Sequence, residues 1–187
     1  FTHTPGLKVA TAATPPDIRA LLRAAIRDDN PVIVMEPLSL YEIQDEVPDT
    51  LEEFALGRAS RKRTGSDVTI VTWGAMVPRV LSAADSLAAE GVSCDVLDLI
   101  TLVPWDVDAV LESLARTSRA VVVHQAVRRG GFGAEVAALI GERGFDLLDA
   151  PVARVGGLNV PVPFSPPLEN FVLPGAEQVV AAVRRLG

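Results

Sequence analysis

This sequence is poor in the side chains that most often carry chemistry. Its 187 residues include one cysteine (Cys94), two histidines (His3 and His124), one tyrosine and two tryptophans. A single cysteine excludes a disulfide scaffold and a cysteine-rich metal site, and it fits a reducing compartment. Two histidines and one cysteine do not make a zinc site. Basic residues are also scarce, 17 against 24 acidic, for a formal charge of −7. No basic stripe is evident that would release counterions from phosphates, which argues against nucleic acid as a partner. No apolar run approaches the roughly 20 residues that span a bilayer. The opening Phe1-Thr2-His3-Thr4-Pro5 has neither the charged start nor the apolar stretch of a signal peptide. It also lacks a methionine, so the chain reads as the middle of something longer, from a soluble compartment.

Apolar residues, at 49%, are plentiful enough for a packed core of one domain and a fraction. Residues 7–10 read as a short strand. Thr14-Pro15-Pro16-Asp17 supplies an N-cap, prolines for a first turn and a carboxylate at the positive helix end. The helix that follows carries Ile18, Leu21, Leu22, Ala25 and Ile26 on one stripe and stops before Pro31. Val32-Ile33-Val34-Met35 reads as a strand buried on both faces. Periodicity then fades to about Gly65, a stretch read as a surface linker. Beyond it, strands at 67–73, 94–99, 120–124 and 152–155 alternate with helices striped by Met76-Val80-Leu87, Val107-Val110-Leu114, Phe132-Val136-Ile140 and Val179-Val183-Leu186. Four such alternations specify an α/β fold with a mainly parallel sheet flanked by helices.

Several segments are candidates for chemistry. Arg128-Arg129-Gly130-Gly131-Phe132-Gly133-Ala134-Glu135 joins a strand to a helix, where glycines and arginines suit an anion. It has neither the Rossmann nor the P-loop spacing, so a tight turn or subunit contact is the competing reading. His124 is expected at the carboxyl edge of a strand as a hydrogen-bonded structural or interface residue. The helix end at Ala25, Ile26, Asp28 and Asn30 gathers carbonyl and side-chain oxygens suited to a hard cation, though on the residues alone a plain C-cap with solvated carbonyls is the favoured reading. No serine has a nucleophile-elbow context. The proline-rich run 160–167 is expected to form neither helix nor internal strand, and to serve as a protein contact or a crossover.

Six segments carry a resemblance: His3-Thr4-Pro5-Gly6-Leu7-Lys8-Val9, Ala25-Ile26-Arg27-Asp28-Asp29-Asn30-Pro31-Val32, Gly65-Ser66-Asp67-Val68-Thr69, Leu102-Val103-Pro104-Trp105-Asp106, Gly130-Gly131-Phe132-Gly133-Ala134-Glu135 and Pro161-Val162-Pro163-Phe164. In this order, over essentially the whole chain, they resemble the β subunit of the thiamine diphosphate-dependent decarboxylating component of 2-oxo acid dehydrogenases. Gly91-Val92-Ser93-Cys94-Asp95-Val96, Val103-Pro104-Trp105-Asp106-Val107-Asp108 and Trp73-Gly74 look most like the branched-chain (2-oxoisovalerate) type, with the pyruvate and acetoin types as alternatives.

The resemblance implies the tail of a pyrimidine-binding domain at 1–40, a linker at 41–65 and a transketolase-like C-terminal domain at 66–187. It further implies an α subunit partner in a heterotetramer of two α and two β chains, and a lipoyl acyltransferase core that receives the acyl group. Thiamine diphosphate and its magnesium would be held outside this stretch. No catalytic or cofactor-binding residue is carried over to this chain, neither His3 nor His124 included, and the stretch alone would be inactive. A structural potassium ion at Ala25, Ile26, Asp28 and Asn30 is implied. The expected compartment is cytoplasmic, or the mitochondrial matrix in a eukaryote. Ile100 and Gln125 depart from the family pattern, which has arginine and glutamate there. A non-catalytic assembly module, and a single-chain enzyme such as transketolase or deoxyxylulose-phosphate synthase, are the other readings.

Overall fold

The computed structural model describes residues 1–50 and 54–187. Strand β1 (Lys8–Thr11) leads to helix α1 (Pro15–Arg27), and the helix starts as its residues dictate. The Thr14 hydroxyl accepts the Asp17 backbone N–H at 3.3 Å and donates to the Asp17 carboxylate at 2.7 Å. Helix α1 ends at Asp28, whose extended backbone prepares the turn into Pro31. Strand β2 (Val32–Met35) then lies parallel to β1.

The second unit is a five-stranded sheet in the order β3-β5-β4-β7-β8. Its strands are β3 (Ser60–Arg63), β4 (Val68–Thr72), β5 (Cys94–Asp98), β7 (Ala120–Val127) and β8 (Ala153–Gly157). All pairs are parallel except β3 with β5. Alternate residues divide the core between two faces. Ile70, Val96, Val121 and Val123 pack with helices α2 (Met76–Ala89) and α6 (Ala176–Arg184). Val71, Leu97 and Val122 pack with α3 (Val107–Thr117) and α4 (Gly133–Arg143). The mainly parallel α/β architecture expected from the alternation is what the chain adopts.

Three features depart from the sequence reading. The supposed linker contributes β3, whose Ser60 and Arg61 stand opposite Asp98 and Leu97 of β5. Its charged Arg61, Lys62 and Arg63 give no apolar alternation because an edge strand needs none. Strand β6 (Thr101–Val103) is too short to show a period; it crosses from the large sheet to pair antiparallel with β1. Helix α5 (Pro166–Val172) begins inside the proline-rich run, with prolines in its first turn, where a missing N–H costs nothing.

The passage between sheets is made at Ile100. This residue has φ +52°, an unfavourable region for a β-branched side chain, and yet is 1% exposed. Its N–H donates to Asp98 Oδ1 at 3.1 Å, and its carbonyl accepts from Thr11 N–H at 2.7 Å. The side chain packs with Ala10, Ala12 and Leu21 under α1. Asp106 ties the same seam together, capping α3 through Ala109 N–H (3.1 Å) and accepting Ala59 N–H (3.0 Å).

Candidate functional site

The region with most of the sequence candidates lies where β4 and β7 end. Trp73 follows β4, and its indole stacks on the His124 imidazole at 5.6 Å with ring planes 5° apart. Phe132 meets Trp73 edge-on at 5.7 Å. Strand β7 runs on to Val127, so His124 lies inside the strand rather than at its carboxyl edge. It is fully buried, and neither ring nitrogen has a hydrogen-bond partner. The expected hydrogen-bonded histidine is instead held by aromatic stacking. Burial, then the nearby Arg154 and Arg128, push its pKa down to about 4, so the ring is neutral at pH 7.

This ring explains the glycines of the loop. A Cβ on Gly133 would overlap the His124 ring, and one on Gly131 would crowd both that ring and the Val127 carbonyl. Gly131 and Gly133 are therefore required by packing. Helix α4 has no side-chain cap, and its first turn holds Glu135, which disfavours an anion there. Gly130 and Gly131 face a cleft of about 590 Å³ shared with His3, Trp105, Phe132 and Glu135. Arg128 and Arg129 line a different groove, beside β8. One loop thus serves two surfaces.

The structure brings Ala25, Ile26, Asp28 and Asn30 together at the exposed end of α1. The Asp28 carboxylate is already engaged: Lys8 Nζ reaches Oδ2 at 2.5 Å, and Asn30 donates to Oδ1 through its backbone N–H (2.9 Å) and its amide (3.0 Å). The Lys8 bond leads these contacts in holding the Asp28 pKa at about 2. The Ala25 carbonyl accepts the Asp28 N–H at 3.4 Å. With the Asp28 carboxylate neutralised by Lys8, the oxygens left to this loop include its backbone carbonyls and the Asp29 carboxylate.

Among the described residues, no three His, Cys, Asp or Glu side chains converge on a metal-sized site. No described helix is long and apolar enough to cross a membrane. Cys94 is buried, and burial pushes its thiol pKa up to about 11, away from nucleophilic reactivity. Sequence reasoning missed the buried Asp98 and the convergence of Arg128 and Arg129 with Arg154 and Arg185. The only signals were charged residues interrupting apolar strands and helices.

Residues 57–179 match the family of the transketolase C-terminal domain. Over 185 residues, 99% of this chain, it is 45% identical to the acetoin:2,6-dichlorophenolindophenol oxidoreductase subunit beta of Cupriavidus necator, covering 55% of that protein. It is 41% identical to the pyruvate dehydrogenase E1 component subunit beta of Rickettsia felis, over all of this chain and 57% of that one. It is 45% identical to the mitochondrial 2-oxoisovalerate dehydrogenase subunit beta of Dictyostelium discoideum, over 93% of this chain and 47% of that one. The chain therefore spans about half the length of these relatives. A solved structure described as a split gene transketolase, inactive beta4 tetramer, superposes with a TM-score of 0.81 at 30% identity, covering 99% of this chain and 58% of the other. A five-stranded, mainly parallel sheet between two helix pairs, spanning nearly all of the matched residues, agrees with that assignment: the chain belongs to the transketolase C-terminal domain family.

Proposed function

We propose that this chain is the C-terminal part of the β subunit of a thiamine diphosphate-dependent 2-oxo acid dehydrogenase, acting on a branched-chain 2-oxo acid. The observation that carries the reading is its 41–45% identity, over nearly its whole length, to β subunits of an acetoin oxidoreductase, a pyruvate dehydrogenase and a 2-oxoisovalerate dehydrogenase. The branched-chain preference rests on the motifs around Trp73, Cys94 and Trp105; acetoin- and pyruvate-type relatives are equally similar. Thiamine diphosphate would supply the electron sink for decarboxylation, held by the α subunit and by β residues outside these 187. In this reading residues 1–40 close the pyrimidine-binding domain, 41–65 connect it onward, and 66–187 form the transketolase-like C-terminal domain. The enzyme would work in the cytoplasm, or in the matrix of a mitochondrion.

This chain's own contribution is to hold subunits together. Val162, Phe164, Leu168 and Phe171 are exposed along the proline-rich segment and α5, an apolar surface suited to the α subunit or the acyltransferase core. Ala25, Ile26, Asp28 and Asn30 would hold a structural potassium ion, completed by oxygens from elsewhere. Raising the thermal midpoint of the αβ enzyme with potassium, but not with equal sodium, supports that site; equal effects of the two salts refute it.

The main test is the αβ enzyme, expressed with its α subunit and assayed for decarboxylation of 2-oxoisovalerate and pyruvate and for oxidation of acetoin. Fastest turnover of 2-oxoisovalerate supports the reading. Faster turnover of either alternative overturns the substrate class, and no turnover with any thiamine-dependent substrate favours an assembly module.

A further inference from the structure

Between β8, α6 and the end of β7 lies a groove of about 690 Å³. Its lining includes Arg128, Arg129, Arg154 and Arg185, with the amides of Asn159 and Gln178, and no acidic residue. In a chain with seven more acids than bases, four arginines have collected on one surface. Several other cations here find carboxylates, as Arg116 and Arg61 find Asp95 and Arg184 finds Glu90. No carboxylate among the described residues lies within ion-pair distance of these four. Arg154 is held in place, its Nη1 donating to the Arg128 carbonyl at 3.2 Å. Their positive field reaches the buried His124 next door, where Arg154 and Arg128 disfavour the imidazolium.

Gathering like charges without counter-charge costs free energy that a bound anion would recover. Guanidinium is the side chain whose planar fork matches phosphate and carboxylate oxygens two at a time. We propose that this groove binds a compact polyanion, specifically a phosphate ester carrying two or more negative charges. Four guanidiniums call for more than one negative charge, and the planar amides of Asn159 and Gln178 can hydrogen-bond the rest of the ester. The acidic remainder of the surface repels an extended polyanion such as nucleic acid, which limits the ligand to something the groove can enclose.

The test is calorimetric titration of the protein, expressed at its full natural length, with inorganic pyrophosphate and with ADP, at fixed ionic strength. Sulfate, citrate and an acidic peptide serve as comparisons. Saturable one-to-one binding of pyrophosphate or ADP is expected. Arg128→Gln and Arg185→Gln, both at exposed positions, should each weaken it about tenfold. Arg23→Gln, exposed on α1 away from the groove, should leave it unchanged. Heats no larger than those of sulfate would overturn the proposal, as would equal weakening by Arg23→Gln. Binding of citrate or the acidic peptide without pyrophosphate or ADP would overturn it too.

Discussion

Asp95 and Asp98 sit three residues apart on β5, both fully buried, and the fold treats them in opposite ways. Asp95 faces α3. Arg116 reaches its Oδ2 at 2.6 Å, Arg61 lies 3.1 Å from Oδ1, and Ser113 donates its hydroxyl. Behind Ser113, Thr69 links to both Ser113 (2.6 Å) and Thr117 (2.7 Å), so the carboxylate terminates a chain of buried hydroxyls. Asp98, on the other face at the seam between the sheets, has only Lys62 nearby, 3.9 Å from Oδ2, and Lys62 is shared with Asp17 at 2.6 Å. Its Oδ2 has no hydrogen-bond donor. Burial accordingly pushes the Asp98 pKa up to about 7, against the opposing pull of Lys62. The surroundings of a buried carboxylate are set by the donors its neighbours bring, not by its own identity.

The largest effect should come from removing the anchor. Asp95→Ala strands two half-exposed arginines and a buried hydroxyl, and should cost about 3 kcal/mol. Urea unfolding would read this as a lower midpoint at unchanged slope. A loss as small as that of a surface substitution would break the contrast between the two aspartates.

A smaller effect belongs to Asp98 and depends on pH. A carboxyl whose pKa is higher folded than unfolded stabilises the fold in acid, and withdraws that contribution as pH rises from about 4 through about 7. The protein should therefore lose about 2 kcal/mol from this group between pH 5 and pH 8. Asp98→Asn keeps an acceptor for Ile100 N–H and cannot ionise, so its stability curve should lack that slope. Parallel curves for the two proteins would sink the assignment.

The smallest difference concerns Ile100, the residue Asp98 holds. Ile100→Ala and Ile100→Gly should both destabilise by emptying the space under α1. At φ +52° glycine should be better than alanine by about 1 kcal/mol, the reverse of the usual order in regular structure. Thermal midpoints of the two variants, measured side by side, decide it; alanine at or above glycine would show that the seam relaxes.

Much of the fold was legible because local rules and tertiary packing agree. Thr14 and Asp106 cap the helices they announce, and Val68–Thr72 and Cys94–Asp98 form buried strands. Strand β3 was not legible: its Ser60-Arg61-Lys62-Arg63 is charged, and pairing at an edge is decided by a strand far away in sequence. His124 was visible only as a residue of uncertain use, since its cage of Trp73, Gly131 and Gly133 comes from separate segments. The Asp28 loop was legible as a set of oxygens, but Lys8, which neutralises it, comes from a different strand.

The sequence by itself determined the class of fold, the starts of α1 and α3, and the family, because apolar periodicity, capping and short motifs are local patterns. It also established a net negative charge, and with it the want of a basic stripe for nucleic acid. Only the tertiary structure decided where the charges go. It drew Arg128, Arg129, Arg154 and Arg185 into one groove, and it gave Asp95 two donors and a second arginine while leaving Asp98 with one distant lysine. Electrostatic interaction depends on distance in space, and composition averages that distance away.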